Sequence, residues 1–117
     1  MVIEQGDIFW LELEEPVSSE PGYKRPVVVV SNDVFNSSRI KTAVVCMLSS
    51  NLKRAEAPGN LLLKKGEADL SKPSVVNVSQ IYTVNKEELS IKIGKLSKTR
   101  VNQIIRGLHL LLEPREI

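Results

Sequence analysis

The pattern of apolar and polar positions along this chain predicts several strands before a single helix. Asp7 to Leu13 and Ser74 to Val84 show the alternation of a strand, and Thr42 to Ser49 is a further apolar run. Arg25 to Ser31 contains four consecutive valines, which is typical of a strand that is buried on both faces or closed into a barrel. The first two thirds of the chain therefore favour a β structure.

The C-terminal part of the chain adds one more strand and the helix. Leu89 to Leu96 alternates again, and Ser97 is placed to cap a helix that ends before Pro114. The apolar side chains of this helix recur at helical spacing: Val101, Ile104, Ile105, Leu108 and Leu112. We therefore expect a mainly β fold with a C-terminal helix, an outline that an SH3-like small β-barrel fits.

Polar segments separate these elements. Glu14 to Lys24 carries two prolines and a glycine, and this composition predicts a loop long enough to serve an active site. Asn32 can cap a short helical turn that runs through Phe35, whereas Leu61 to Lys64 is only a short apolar stretch. Lys65 to Pro73 is expected to be a charged loop.

Composition narrows the class of protein. A chain of 117 residues with 42% hydrophobic and 26% charged residues predicts one globular domain over residues 1–117. The longest apolar run, Pro26 to Val30, is too short to span a bilayer, and no signal-peptide pattern is visible. We therefore expect a cytoplasmic protein with no membrane association. The net charge of +2 does not by itself indicate nucleic-acid binding.

The counts of cysteine and histidine limit the chemistry. Cys46 is the single cysteine and lies in an apolar run, so we expect it to pack as a small hydrophobe. His109 is the single histidine, which excludes a ribonuclease that uses two histidines as acid and base. Because no cluster of Cys, His and Asp has ligand spacing, we expect neither a metal nor a cofactor.

The end of the first loop combines side chains that suit RNA. It carries a carboxylate, an aromatic ring and two cations: Glu20, Tyr23, Lys24 and Arg25. An arginine offers a planar fork of donors that matches phosphate oxygens, and a strand start holds it with little loss of entropy. The alternative is a solvated arginine that only stabilises the loop, and composition alone favours that alternative.

Further polar groups could converge on Arg25. Ser49 and Ser50 end the third strand, and Lys53 and Arg54 follow in the next loop. A serine hydroxyl could donate to a phosphoryl oxygen while the cations bind flanking phosphates. The alternative is commoner, because serines often end strands and basic loops are often merely solvated.

Aromatic residues are candidate platforms for unpaired bases. Tyr23 and Tyr82 could each stack on a base, although Tyr82 could equally pack within its strand. We interpret Trp10, which lies between apolar neighbours in the first strand, as a core residue.

Five blocks of residues cover almost the whole chain in an order typical of one family. They are Gly6-Asp7-Ile8-Phe9-Trp10, Ser19-Glu20 leading to Arg25-Pro26-Val27-Val28-Val29-Val30-Ser31-Asn32, Met47-Leu48-Ser49-Ser50, Ser74-Val75-Val76 leading to Gln80-Ile81-Tyr82-Thr83-Val84, and Ile93-Gly94-Lys95-Leu96. In these blocks the chain resembles the MazF/PemK family of toxin–antitoxin endoribonucleases.

The resemblance implies a homodimer of SH3-like barrels that cleaves single-stranded RNA at a short motif and is inhibited by a cognate antitoxin. The 2′-hydroxyl would attack the adjacent phosphate without a metal and leave a 2′,3′-cyclic phosphate and a 5′-hydroxyl. Arg25 matches the catalytic arginine of the family, Ser49 the catalytic threonine, and Glu20 a loop carboxylate implicated in some members. The residues expected to contact RNA around them are Tyr23, Lys24, Ser50, Lys53, Arg54, Gln80 and Tyr82.

Two positions depart from the family pattern. Ser49 keeps the hydroxyl of the threonine but lacks the methyl group that restricts its rotamer. Tyr82 stands where many members have arginine, so a stacking contact could replace a phosphate or base contact. Two alternatives stay open at this point: a toxin of the same fold that poisons DNA gyrase, and a member that binds RNA or a partner without cleaving it.

Overall fold

The structure is a computed structural model that describes residues 2–12 and 24–115. Within those ranges the chain forms six strands and two α-helices, joined partly by short 3₁₀ turns. Their bounds are β1 Asp7–Glu12, β2 Lys24–Val29, α1 Asp33–Asn36, β3 Thr42–Ser49, β4 Leu61–Leu63, β5 Ser74–Asn85, β6 Ile91–Lys95 and α2 Lys98–Leu112.

All six strands belong to one antiparallel sheet in the order β4-β5-β3-β2-β1-β6. The valine-rich β2 lies near the centre, where Val28 pairs with Ile8 on one side and with Cys46 on the other. The side chains of β2 alternate between two buried clusters, and both Val27 and Val28 are fully buried. The predicted strand with two buried faces is therefore confirmed.

Helix α2 covers one of these two faces. It begins as predicted, because the Ser97 hydroxyl accepts a hydrogen bond from the backbone N–H of Arg100. Ile104 and Leu108 are buried against the sheet, but Leu112 is 69% exposed. The prediction that Leu112 belongs to the packed face is wrong, since the described residues from position 109 onward are all exposed and the last turn extends past the sheet.

Two glycines allow close backbone contacts around the sheet. A Cβ at Gly107 of α2 would lie 2.2 Å from the carbonyl oxygen of Gly59, so only glycine lets the helix approach the loop before β4. A Cβ at Gly94 of β6 would lie 2.1 Å from the carbonyl oxygen of Ala68. The turn at Glu67–Asp69 therefore lies directly on the edge strand β6 and helps the sheet curl into a half-barrel.

An ion pair joins that turn to the helix. Arg100 donates from Nε to Oε2 of Glu67 at 2.6 Å, and a second nitrogen donates to Oε1 at 3.1 Å. The Arg100 hydrogen bond holds the pKa of the Glu67 carboxyl below its usual value. The contact fastens α2 to the segment that closes against β6.

The element boundaries differ from the predicted ones at a few points. Strand β2 ends at Val29 rather than Ser31, because the N–H groups of Val30 and Ser31 both donate to the carbonyl oxygen of Val44 as the chain turns away. The Asn32 side chain caps α1 as predicted. Leu13 and the predicted loop up to position 23 lie outside the described residues. The helices of the described part are all too short or too polar to cross a membrane.

Candidate active site

A cleft of about 430 Å³ opens where the start of β2 meets the end of β3. Its lining comes from four strands of the sheet and from the turns beside them. The lining residues are Trp10, Lys24, Arg25, Pro26, Leu48, Ser49, Ser50, Asn51, Arg54, Lys72, Ser74 and Gln80.

The antiparallel register explains why these residues meet. Because Val27 of β2 pairs with Met47 of β3, the first residues of β2 lie beside the last residues of β3. Ser49 at the end of β3 pairs with Val75, and this pairing brings in the first residues of β5. On the other side of β2, Pro26 pairs with Trp10. The site is therefore assembled from the ends of four neighbouring strands.

The cleft is positively charged. Four cationic side chains line it: Lys24, Arg25, Arg54 and Lys72. Among the described lining residues there is no carboxylate. Arg25, at the second position of β2 beside Leu11 of β1, is half-buried and forms interactions within the protein. A cleft of this kind favours an anionic ligand, and the guanidinium groups suit phosphate oxygens.

The Ser49 hydroxyl is held in the cleft by a local turn. Ser49 is 7% exposed, and its Oγ accepts a hydrogen bond from the backbone N–H of Asn51 at 3.1 Å. Asn51 in turn caps the 3₁₀ turn Leu52–Glu56 that carries Arg54. Since a hydroxyl can accept and donate at once, Ser49 keeps a proton that it can donate to a bound oxyanion.

A network of side-chain amides adjoins the cleft through Gln80. Asn77 is 4% exposed, and its Nδ2 donates to Oε1 of Gln80 at 3.1 Å. Its Oδ1 accepts from the Ser79 hydroxyl at 2.9 Å and faces Nδ2 of Asn60 at 3.5 Å. Asn60 also donates to the carbonyl oxygen of Arg54 at 2.9 Å. This amide network, Asn60, Asn77 and Gln80, ties the turn carrying Arg54 to a lining residue of β5.

Trp10 lies in the cleft, so its assignment to the core is wrong. The residue is 38% exposed, whereas Phe9 before it is fully buried and Leu11 after it is 3% exposed. Successive side chains of a strand point to opposite faces of the sheet, so Phe9 and Leu11 lie on one face and Trp10 lies on the other. It presents an aromatic surface at the rim of a cationic cleft.

Comparisons with known proteins identify the family. The model for PemK-like, MazF-like toxins of type II toxin-antitoxin systems matches residues 4–112. The chain belongs to this family. Endoribonuclease MazF6 of Mycobacterium tuberculosis is 36% identical over 97% of this chain and 99% of its own length. Endoribonuclease EndoA of Bacillus subtilis is 29% identical over 96% of each chain.

Solved structures of toxins agree with the fold. A mycobacterial endoribonuclease in complex with its cognate antitoxin superposes with a TM-score of 0.77 at 21% identity, covering 97% of this chain and 99% of that one. MazE-MazF from Deinococcus radiodurans also gives a TM-score of 0.77, at 19% identity, covering 98% of this chain and 99% of that one. The predicted fold class is confirmed.

The cleft brings together six of the residues that the sequence singled out: Arg25, Ser49, Lys24, Ser50, Arg54 and Gln80. Lys53 and Tyr82 do not line it. Lys53 is exposed in the same 3₁₀ turn as Arg54, where neighbouring side chains point in different directions. Glu20 and Tyr23 lie outside the described residues, so their roles stay predictions.

Tyr82 is separated from the cleft by an irregularity in the sheet. It pairs with Val45, whereas the cleft end of β3 pairs with β5 only beyond a register shift between Cys46 and Met47. Tyr82 is 43% exposed on another part of the sheet, and its contact with RNA stays a prediction. The family pattern alone could not show this displacement, because a bulge changes the distance between two positions on one strand.

Lys72 is the lining cation that sequence analysis missed. It stands in the predicted charged loop, two residues before the start of β5. The antiparallel pairing of β5 with β3 brings it beside the serines that end β3. The sequence shows a lysine shortly before a strand, but its place beside β3 follows only from the pairing of the two strands.

Neither Cys46 nor His109 contributes to the cleft. Cys46 is fully buried in the core as predicted, and burial raises the pKa of its thiol to about 12, so it is protonated at neutral pH. His109 is exposed near the end of α2. In the described ranges, no group of three His, Cys, Asp or Glu residues could hold a metal ion.

Proposed function

We propose that the cleft is the active site of a sequence-specific endoribonuclease that cleaves single-stranded RNA without a metal. The main support is that Arg25 and Ser49 lie in one cationic cleft in a member of the PemK/MazF toxin family. The enzyme class follows from the family, since the similar full-length relatives from M. tuberculosis and B. subtilis are endoribonucleases.

The reaction is an internal transesterification of the RNA backbone. The 2′-hydroxyl oxygen forms a bond to the adjacent phosphorus, the bond from phosphorus to O5′ breaks, and a 2′,3′-cyclic phosphate and a 5′-hydroxyl remain. The proton lost by the 2′-hydroxyl is balanced by the proton gained at O5′. Negative charge builds on the non-bridging oxygens, where Arg25 supplies positive charge and Ser49 supplies a hydroxyl donor.

The remaining lining residues bind the substrate around this point. Lys24, Arg54 and Lys72 are placed to neutralise the phosphates on either side of the scissile one. Trp10 offers a face on which an unpaired base can stack, which is the common mode for single-stranded RNA. The combination suits an extended strand rather than a duplex.

A Ser49→Ala variant should cleave RNA more slowly but retain activity. Removing a hydrogen bond to a charged group costs about 1.5 to 3 kcal/mol, which corresponds to about 10- to 150-fold in kcat/KM. Single-turnover cleavage of a short RNA that carries the mapped motif would measure the loss. The Ser49→Thr variant is the matched control, because it keeps the hydroxyl, and a loss as large as that of Ser49→Ala would contradict the assigned role.

The function itself is tested with purified protein and a long single-stranded RNA in EDTA. We expect fragments with 5′-hydroxyl ends at a recurring short motif, and their absence with Arg25→Ala. Intact RNA across varied sequences would overturn the proposal and favour a gyrase poison or an inactive binder of the same fold. Cleavage that requires added Mg²⁺ would contradict the metal-free mechanism.

A cognate antitoxin is the second expected partner. One similar structure is an endoribonuclease in complex with its cognate antitoxin, and another is MazE-MazF. We propose that this chain binds an antitoxin as well. The positive charge of the cleft suits an acidic segment that would exclude RNA. We also propose a cytoplasmic location, because there the enzyme meets both mRNA and a co-expressed antitoxin.

A homodimer is proposed for the active form. The end of α2 leaves apolar side chains in solvent, with Leu110 52% and Leu112 69% exposed. Leu111 between them is 44% exposed, and an exposed apolar helix end of this kind is more typical of an interface than of a monomer surface. Light scattering coupled to size exclusion would show a dimer mass, and a monomer at micromolar concentration would contradict the proposal.

A further inference from the structure

The side-chain amide of Gln80 lies in the cleft with one end already bonded. Its Oε1 accepts the hydrogen bond from Nδ2 of buried Asn77, and Nε2 has no hydrogen-bond partner among residues 2–12 and 24–115, so its two protons can donate to a ligand. An amide held in this way directs its two donors, rather than its oxygen, into the cleft. The orientation of the amide therefore determines which kind of hydrogen-bonding group a ligand meets there.

Two backbone groups determine the polarity of the amide network, that is, which end of each amide donates and which end accepts. Asn60 must direct Oδ1 at the N–H of Val78, which lies 3.0 Å away, and Nδ2 at the carbonyl oxygen of Arg54. A backbone N–H only donates and a carbonyl only accepts, so the Asn60 amide cannot be reversed without losing both bonds. Asn60 therefore offers Nδ2, not Oδ1, towards Asn77.

The orientation of Asn60 determines that of Asn77, and Asn77 in turn orients Gln80 in the cleft. Oδ1 of Asn77 faces the two donors, the Ser79 hydroxyl and Nδ2 of Asn60, which leaves Nδ2 of Asn77 to donate to Gln80. Asn77 is buried, and a reversed amide would set its Nδ2 against Nδ2 of Asn60, so that two donors face each other at a cost in free energy. Gln80 is thus held with Oε1 inward and Nε2 outward.

We propose that Asn77 is a positioning residue that makes Gln80 select a keto base at one position of the cleaved RNA. Uracil and guanine present a carbonyl oxygen, O4 or O6, where cytosine and adenine present an amino group, N4 or N6. Two outward donors accept the first kind and reject the second, because an amino group facing them would leave donors unpaired. This selectivity rests on the ribonuclease function proposed above.

The Asn77→Asp variant should reverse the orientation of the Gln80 amide without adding bulk at position 77. An ionised aspartate at this position only accepts, so Gln80 would turn its Nε2 inward and present Oε1 to the RNA. The preferred base should then change from uracil or guanine to cytosine or adenine. Because the group that pairs with one kind of base is left unpaired with the other, the relative cleavage rate should shift by about tenfold or more.

Two further variants test the proposal even if the Asn77→Asp protein does not fold. Gln80→Glu leaves Asn77 intact and presents a carboxylate oxygen to the RNA, so it should shift the preference in the same direction. Ser79→Ala is the matched control, because it removes a neighbour of Oδ1 while Asn60 still sets the polarity. Its cleavage motif should equal that of the wild type.

The experiment is cleavage of an RNA library with randomised positions in EDTA, followed by sequencing of the 5′-hydroxyl ends. A keto preference at one position that inverts in both Asn77→Asp and Gln80→Glu supports the proposal. An unchanged base distribution in both variants, with the wild type active, overturns it. A wild type that fails to cleave would instead refute the ribonuclease function.

Solvent exchange of the side-chain amides by NMR gives a readout that needs no cleavage. In the wild type the Nε2 protons of Gln80 should exchange freely and the Nδ2 protons of Asn77 slowly. In folded Asn77→Asp protein the Gln80 protons should become protected. Protected Gln80 protons already in the wild type would mean the opposite orientation and would overturn the proposal whether or not RNA is cleaved.

Discussion

An Arg25→Ala variant is expected to lose RNA cleavage by at least about 10²- to 10³-fold while keeping its fold. The loss of one donor that stabilises developing charge has an effect of this size, and Arg25 also brings positive charge to the phosphate. The side chain is half-buried at the start of a strand, so its removal leaves no large cavity in the core. Single-turnover cleavage and thermal unfolding would measure the two effects separately.

Two matched controls sharpen the Arg25 result. Arg25→Lys keeps the charge but not the planar fork, so its activity should fall between those of the wild type and Arg25→Ala. Arg106→Ala removes an exposed cation on α2, away from the cleft, and should cleave normally. Normal cleavage by folded Arg25→Ala protein would contradict the proposed mechanism.

Replacing the adjacent aromatics Phe9 and Trp10 by alanine should produce opposite phenotypes. Phe9 is fully buried in the cluster beneath β1 and β2, and its truncation should reduce the free energy of unfolding by about 3 to 5 kcal/mol. Trp10 is 38% exposed in the cleft. Its truncation should weaken RNA binding by about 5- to 150-fold through lost base stacking, with a smaller loss of stability.

Each of these two variants is the control for the other. Chemical denaturation would report the stability of both, and fluorescence anisotropy with a labelled single-stranded RNA would report binding. Phe9→Ala should bind RNA normally wherever it is folded. Trp10→Ala protein with wild-type affinity for RNA would show that the exposed ring does not contact a base.

Some of the predicted site residues line the cleft and others do not. Arg25 and Ser49 were expected together because the resemblance to the MazF/PemK family gives both a catalytic role, and they share the cleft. Lys53 and Tyr82 were expected there too, but a turn and a bulge direct them elsewhere. Lys72 entered only through the pairing of β5 with β3.

The sequence by itself determined the elements and the family. Alternation, the run of valines and the caps at Asn32 and Ser97 act over a few residues, so they could be read before any contact was known. The ordered blocks from Gly6 to Leu96 likewise indicated the PemK/MazF family, which the comparisons confirm. Local signals were sufficient for these conclusions.

Only the tertiary structure decided which side chains meet. The exposure of Trp10 depends on which part of the sheet α2 leaves uncovered, and that of Leu112 on where the helix passes the sheet edge. In the amide network Asn60 contacts Asn77, 17 positions away, Asn77 contacts Gln80, 3 positions away, and two backbone groups orient Asn60. Such contacts follow from strand register and chain crossing, which hydrophobic periodicity does not encode.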